Sequence, residues 1–153
     1  MSAFVRRLAV AVLALSSFAA VASADDPPSE LAQRQSAFLS KVVSGELDAG
    51  YKELLAGSAV ATDVKAIANL VAQTQNAVRV YGAIAEARSL GTVVLDANLV
   101  VGHGLACCEK QPLYFYFVWY RPTATAPWRI LATWFNDNTK EFIEARRGLP
   151  PSK

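Results

Sequence analysis

The stretch Leu113–Tyr120, which reads Leu-Tyr-Phe-Tyr-Phe-Val-Trp-Tyr, decides the fold of this chain. It is an unbroken run of aromatic and aliphatic residues. Gln111-Pro112 closes it on one side and Arg121-Pro122 on the other. That composition and length predict a β-strand that is covered on both of its faces.

The sequence on either side of this stretch predicts further strands. Hydrophobic residues alternate with other residues along Ala83–Leu90, clearly along Thr92–Val101, and again in Leu105–Cys108 and Trp128–Phe135. Such alternation is typical of strands. Gly102-His103-Gly104 interrupts the pattern, and we expect a bulge or bend at this point. The prediction is a sheet of three to four antiparallel strands.

The sequence before these strands has a helical period. Ser29 is a candidate N-cap for a first helix, and Gly45 is placed to end it. A short second helix follows over Leu47–Leu55. Asp63 can cap a third helix, with Thr62 as the other candidate, and Gly82 is placed to end it. Three helices followed by strands predict an α+β fold, with the helices packed on one face of a curved sheet.

The N-terminus has the pattern of a secretory signal peptide. Arg6 and Arg7 precede an apolar run over Leu8–Ala22, and Ala22-Ser23-Ala24 matches the small-x-small cleavage pattern. The apolar run is shorter than the roughly 20 residues that a membrane span needs. We therefore predict cleavage after Ala24 and a periplasmic or extracellular protein, with no membrane span afterwards.

Cleavage changes the charge and sets the domain boundaries. It removes two of the 15 basic residues and none of the 13 acidic ones, which leaves 13 of each. A chain this close to neutral shows no basic stripe for nucleic acid. We predict a signal peptide over 1–24, a flexible lead over 25–29, one α+β domain over 30–145 and a frayed tail over 146–153.

Alternation along the predicted strands separates two faces of the sheet. One face carries apolar rings and should meet the helices, where a ligand pocket would be lined by Phe115, Phe117, Trp119 and Trp134, with Tyr81 from the third helix. The other face is rich in tyrosine, as interfaces often are. It predicts a homodimer through the sheet, with an interface of Tyr114, Tyr116 and Tyr120. Coverage of that face by the chain's own terminal segments is the alternative.

The order of the predicted helices and strands, together with several local motifs, resembles that of a known superfamily. The segments that carry the resemblance are Leu47–Leu54, Tyr81–Ile84, Gln111–Phe115, Tyr120–Pro122 and Trp128–Ile130. They resemble the nuclear-transport-factor-two-like proteins, and among these the small secreted bacterial members classed as domains of unknown function. The resemblance implies a cone-like fold with a helix-lined pocket and a dimer across the sheet. The superfamily includes both enzymes and binding scaffolds, so it does not imply one function.

Few residues are candidates for chemistry. If the pocket were catalytic, His103, Asp96 and Tyr81 would be the candidates for the acid–base and hydrogen-bonding roles that isomerase-like enzymes of such folds use. His103 is the single histidine. Its flanking glycines either allow a ligand to approach or serve only the backbone geometry.

The two cysteines, Cys107 and Cys108, are adjacent. They leave open a vicinal disulfide, a disulfide between subunits, or two thiols. Together with His103 they could form a soft-metal or redox cluster, although the spacing matches no strong metal motif.

We therefore expect an exported, non-catalytic domain that uses no cofactor. It would form a homodimer and bind a small apolar or amphipathic molecule or a protein partner. The alternatives are a pocket enzyme of the isomerase or dehydratase type that uses His103 or Asp96, and a His/Cys metal or redox site.

Overall fold

The computed structural model describes residues 28–147, so the predicted signal peptide and most of the predicted tail lie outside the described residues. It confirms an α+β fold. Its elements, in chain order, are α1 (Ser29–Ser44), α2 (Leu47–Leu54), α3 (Val64–Tyr81), β1 (Ile84–Asp96), β2 (Leu99–Cys108), β3 (Pro112–Tyr120), β4 (Arg129–Asn136) and α4 (Thr139–Arg146).

The predicted helix ends at Asp63, Gly45 and Gly82 are confirmed. The prediction of Ser29 as the N-cap of α1 is wrong, because Ser29 is the first helical residue and Pro28 occupies the cap position without a side-chain hydrogen bond. The Asp63 carboxylate accepts hydrogen bonds from the backbone N–H groups of Lys65 and Ala66, both at 3.0 Å, and so caps α3. Gly45 follows α1 with a φ of 79°, a left-handed conformation that glycine adopts at little cost. Gly82 follows α3, also with positive φ.

The four strands form one antiparallel sheet in the order β1-β2-β3-β4. The sequence reading missed the hairpin turn between β1 and β2 because it treated Thr92–Val101 as one strand. The chain instead turns at Ala97-Asn98, where the Asp96 carboxylate accepts a hydrogen bond from the Asn98 N–H at 2.9 Å. Aspartate and asparagine favour such turns because their side chains bond to nearby backbone groups.

The irregularity predicted at Gly102-His103-Gly104 lies in the neighbouring strand. β2 pairs with β3 without a register shift, whereas β1 has an extra residue between Ser89 and Thr92. The glycines of β2 instead allow α1 to approach the sheet. A Cβ atom on Gly102 would lie 2.0 Å from Nε2 of Gln35, and one on Gly104 would lie 2.9 Å from Cδ1 of Leu39.

The main core lies between the sheet and the first three helices. Its fully buried members include Phe38, Leu39, Phe115, Phe117 and Trp119. The ring of Phe38 makes edge contacts with both phenylalanines of β3, with centroids 5.8 Å away in each case. The apolar face of β3 therefore meets the helices, as its alternation predicts.

A fourth helix, which the sequence analysis did not predict, covers part of the opposite face. The ring of Phe142 in α4 stacks on Tyr114, with centroids 4.1 Å apart, and lies edge-on to Tyr116. The Asn138 carboxamide caps α4 by accepting a hydrogen bond from the Glu141 N–H at 3.1 Å. The structure thus has four helices and four strands in the part of the chain that it describes.

Candidate functional site

A cleft of about 380 Å³ lies where the end of α3 meets the ends of β3 and β4. Its walls are partly apolar and partly polar. They are formed by Asn76, Ala77, Val80, Tyr81, Leu113, Phe135, Asn136 and Asp137. An apolar cleft with a few convergent polar groups is the usual form of a small-molecule site.

One phenol and one carboxylate form the polar centre of this cleft. The Tyr81 hydroxyl donates a short hydrogen bond to Oδ2 of Asp137. This hydrogen bond, together with partial burial and the negative charge of Asp137, raises the pKa of Tyr81, because ionisation would lose the bond and place two negative charges side by side. The Gln111 carboxamide donates to the Asp137 carbonyl oxygen at 3.0 Å, which holds this turn in place.

The predicted pocket residues do not lie together. Tyr81 lines the cleft, whereas Phe115, Phe117 and Trp119 are at most 1 % exposed and form the packed core beneath it. Trp134 lies on the opposite face of the sheet, where its ring stacks on Tyr116 with centroids 5.0 Å apart.

The prediction that Trp134 lies on the face that meets the helices is wrong because β4 contains a bulge. Val118 pairs with Ala132 and Trp119 pairs with Ile130, so one extra residue, Leu131, interrupts the alternation. Beyond the bulge, every side chain of β4 is on the face opposite to the predicted one. This is why Phe135 rather than Trp134 lines the cleft.

The three candidate catalytic residues occupy three separate places. Tyr81 lies in the cleft, and Asp96 is exposed at the β1–β2 turn, where it bonds to the backbone. His103 pairs with Tyr116 on the outer face of the sheet, away from α1, α2 and α3. The described geometry therefore does not bring these side chains into one site.

His103 is buried beneath α4, with only 4 % of its surface exposed. Its ring makes edge contacts with Tyr116 and Phe142, and its Nδ1 atom has no hydrogen-bond partner among the described residues. Burial lowers the pKa of His103, and the positive charge of Arg146 in α4 lowers it further. The neutral imidazole is thus favoured, as expected for a histidine packed among aromatic rings.

Cys107 and Cys108 are both free thiols and point to opposite faces of β2. The Cys107 thiol donates a weak hydrogen bond to Glu86 over 3.6 Å, whereas Cys108 packs against the core, where burial raises its pKa. Cys107 shares the outer face with His103, but the two are four residues apart, about 13 Å along the strand. Within residues 28–147, no group of three or more metal-ligating side chains comes together.

Of the predicted interface residues, Tyr114 and Tyr116 are buried beneath α4 within the same chain. Tyr114 also donates a hydrogen bond to the Thr139 hydroxyl at 3.0 Å. Tyr120 is half-buried. The chain's own terminal segment therefore covers Tyr114 and Tyr116, which was the alternative to a dimer interface at these two residues.

Sequence reasoning missed Asp137 and Phe135. The available signal was the polar turn Asn136-Asp137-Asn138 directly after a strand, since residues at such ends often reach a neighbouring element. The bulge in β4 concealed Phe135, because strict alternation assigns it to the outer face.

Comparisons with protein-family models, with curated proteins and with solved structures find no match for this chain. Among the described helices, none has the length and apolar character to cross a membrane.

Proposed function

We propose that this chain is an exported, non-catalytic domain that binds a small amphipathic molecule in the cleft whose polar centre is the Tyr81–Asp137 pair. The observation that carries the proposal is the pairing of one phenol and one carboxylate between the apolar side chains of Leu113 and Phe135. The signal-peptide pattern of Met1–Ala24 supports export.

The chemistry of the cleft defines the kind of ligand. Its one ionisable acid is Asp137, and no lysine or arginine is among the lining residues. A carboxylate accepts hydrogen bonds only, and most strongly from a charged donor. We therefore propose a molecule with an apolar body and an ammonium or hydroxyl group, which would share the carboxylate with Tyr81.

The proposal includes the resemblance to the nuclear-transport-factor-two-like superfamily. Three helices followed by an antiparallel meander are compatible with that resemblance, and the position of the cleft at one end of the helix–sheet interface supports it. A pocket enzyme of the isomerase or dehydratase type remains the second candidate. Since His103 and Asp96 lie elsewhere, such an enzyme would have to use Asp137 as its base and Tyr81 as its donor.

Two valines of α3 provide a matched test of the cleft. Val80 lines it and is 58 % exposed, whereas Val64 is 77 % exposed in the first turn of the same helix. Val80→Trp should block the cleft and abolish binding of short-chain alkylamines and alkanols, measured by calorimetry on the chain that starts at Asp25. Val64→Trp should bind these probes as the wild type does.

Two further variants test the polar centre. Asp137→Asn should weaken alkylamine binding at least about tenfold, equivalent to about 1.4 kcal/mol, by removing the charge. It should also lower the pKa of Tyr81 towards its ordinary value, which the ultraviolet absorbance of the phenolate reports. Equal binding of these amines by wild type, Val80→Trp and Asp137→Asn would contradict the proposed site.

A further inference from the structure

One edge of β1 is unpaired among the described strands. β1 lies at one end of the strand order and pairs with β2 alone among the described strands. It spans 13 residues, compared with five to six in the usual strand, and its pairing with β2 shifts register at three places. Glu86–Ser89 is a regular stretch between two of these shifts. A long edge strand presents unpaired N–H and C=O groups, which natural proteins either protect or use for pairing with another chain.

A groove of about 640 Å³ runs beside this edge, between α1 and β1. On the helix, Ser36, Ser40 and Ser44 line it at intervals of four residues and so form one small, polar stripe. On the strand, Ala85 and Ala87 line it. The larger side chains of the lining are Val43 on the helix and Glu86 and Arg88 on the strand. Glu86 and Arg88 lie on the outer face of the sheet, so the side of the edge next to α1 carries mostly small residues, and another backbone can approach it.

The charges next to this edge are self-complementary. Glu86 and Arg88 pair with Cys107 and Leu105 of β2, lie on the same outer face, and form an exposed ion pair with each other. If two copies of β1 pair antiparallel about a two-fold axis at Ala87, Glu86 of each copy faces Arg88 of the other. Moving the axis to Glu86 or to Arg88 would instead place two like charges directly opposite, which destabilises a strand pair.

We propose that two copies of this chain pair through β1, antiparallel about Ala87, to form one continuous sheet of eight strands. The axis runs perpendicular to the sheet, because directly opposite residues must lie on the same face. Such an interface is isologous, the usual form of a two-fold dimer. The serine stripes of the two α1 helices then face each other across the axis, where small side chains permit close packing. This interface is independent of the proposed ligand and differs from the tyrosine face predicted from the sequence.

Charge reversal tests the register. In the Glu86→Arg variant two arginines face each other at both symmetric contacts, and in Arg88→Glu two glutamates do so. Each should raise the dimer dissociation constant at least about tenfold in sedimentation equilibrium of the mature chain at low salt. The double variant, Glu86→Arg with Arg88→Glu, restores opposite charges and should dimerise within about threefold of wild type. Circular dichroism melts check that each variant is folded.

Cross-linking tests the axis itself. In a chain carrying Cys107→Ser and Cys108→Ser, Ala87→Cys should place two thiols directly across the axis, with Cβ atoms about 4.5–5.5 Å apart. That separation is close enough for a disulfide after slight adjustment. Dioxygen would accept the two electrons and two protons that the thiols release. Ala85→Cys is the matched control, because its two copies would lie about 13 Å apart along the strands. A covalent dimer should form with Ala87→Cys and not with Ala85→Cys.

Three results would overturn the proposal. One is a mature chain that stays monomeric at about 0.2 mM, far above the micromolar constants of ordinary specific complexes. Another is a dimer that both charge reversals leave unchanged. The third is a dimer that Trp134→Ser dissociates and Glu86→Arg does not, which would place the interface on the outer face of the sheet.

Discussion

The two faces of the sheet are built from the same strands but are closed to different extents. On the helix face, three helices cover Phe115, Phe117 and Trp119 completely. On the outer face, the eight-residue α4 covers Tyr114 and Tyr116 but leaves Trp134 43 % exposed. Both faces of β3 are aromatic, so residue type alone does not explain the difference. The extent of closure depends on how much helix lies over each face.

Truncating one phenylalanine on each side should measure this difference most directly. Phe117 is fully buried on the helix face, whereas Phe142 covers the outer face at the edge of its cluster. Phe117→Ala should lower the free energy of unfolding by about 3–5 kcal/mol, as expected for a phenylalanine in a close-packed core. Phe142→Ala should cost clearly less in urea unfolding. Equal losses would mean that α4 is as integral to the core as the other helices.

The helix face also contains the close approach between α1 and the sheet, and two glycines of β2 allow its tightness to be tested. Gln35 is fully buried against Gly102, with its Oε1 accepting a hydrogen bond from the Ser89 hydroxyl at 3.1 Å. Gly102→Ala would push Gln35 away and should cost up to about 3 kcal/mol through overpacking. Gly91→Ala is unsuitable as a control because Gly91 has a positive φ. Gly104→Ala serves instead and should cost less, since the new Cβ would come closest to the end of the Leu39 side chain, at 2.9 Å, and lie at 3.4 Å from Cβ of Phe115.

Two arginines, one on each face of the sheet, allow the same comparison through polar contacts. On the helix face, Arg34 donates to the carbonyl oxygens of Trp128 and Leu54 at 2.8 and 3.1 Å, and its guanidinium lies 4.6 Å from the ring centroid of Trp119. On the outer face, Arg146 donates to one carbonyl oxygen, that of Leu90, at 3.0 Å.

Arg34→Gln should therefore cost about 1–2 kcal/mol in urea unfolding, because it leaves two carbonyl groups without their charged donor. Arg146→Gln should cost less than about 1 kcal/mol. A larger loss for Arg146 would reverse the ranking of the two faces.

Acid should loosen the outer face before the helix face. The folded structure lowers the pKa of His103 below its ordinary value of 6.5, first by burial and then through Arg146. The groups that face it are Tyr116 of β3 and Phe142 and Arg146 of α4, so no carboxylate offsets the burial. The unfolded chain therefore binds the proton more readily than the folded chain. The contribution of neutral His103 to the free energy of unfolding is fully present above about pH 6.5 and is lost as the pH falls below that value.

The His103→Gln variant should remove this part of the pH dependence. We expect this change to be smaller than the effects of the other variants. Urea unfolding of both proteins between neutral and mildly acidic pH measures the difference in slope. Unchanged slopes would mean that His103 keeps its ordinary pKa beneath α4.

Much of the fold was predictable because its signals are local. The carboxylate of Asp63 next to free N–H groups, and the glycines at 45 and 82, end helices through interactions within a few residues. The strand around Leu113–Tyr120 is equally well defined, because its composition excludes exposure on either face. The β1–β2 turn was missed, since alternation continues across a two-residue turn and therefore does not reveal it.

The candidate site was less predictable, because it depends on distant pairings. Tyr81 was identified, but its partner Asp137 is 56 residues away, and only the folded chain brings the two together. The side chain that faces the cleft from β4 depends on the bulge at Leu131, which exists only in relation to β3.

By itself, the sequence determined the class of fold, several of the helix ends, the strand at the centre of the sheet and the pattern of an exported chain. These follow from residue types and short spacings. The tertiary structure decided which aromatic face is closed, where the polar centre of the cleft lies and which strand edge is left unpaired. Those features depend on register and on the positions of helices over the sheet, which a one-residue bulge or an eight-residue helix can change without altering the local pattern.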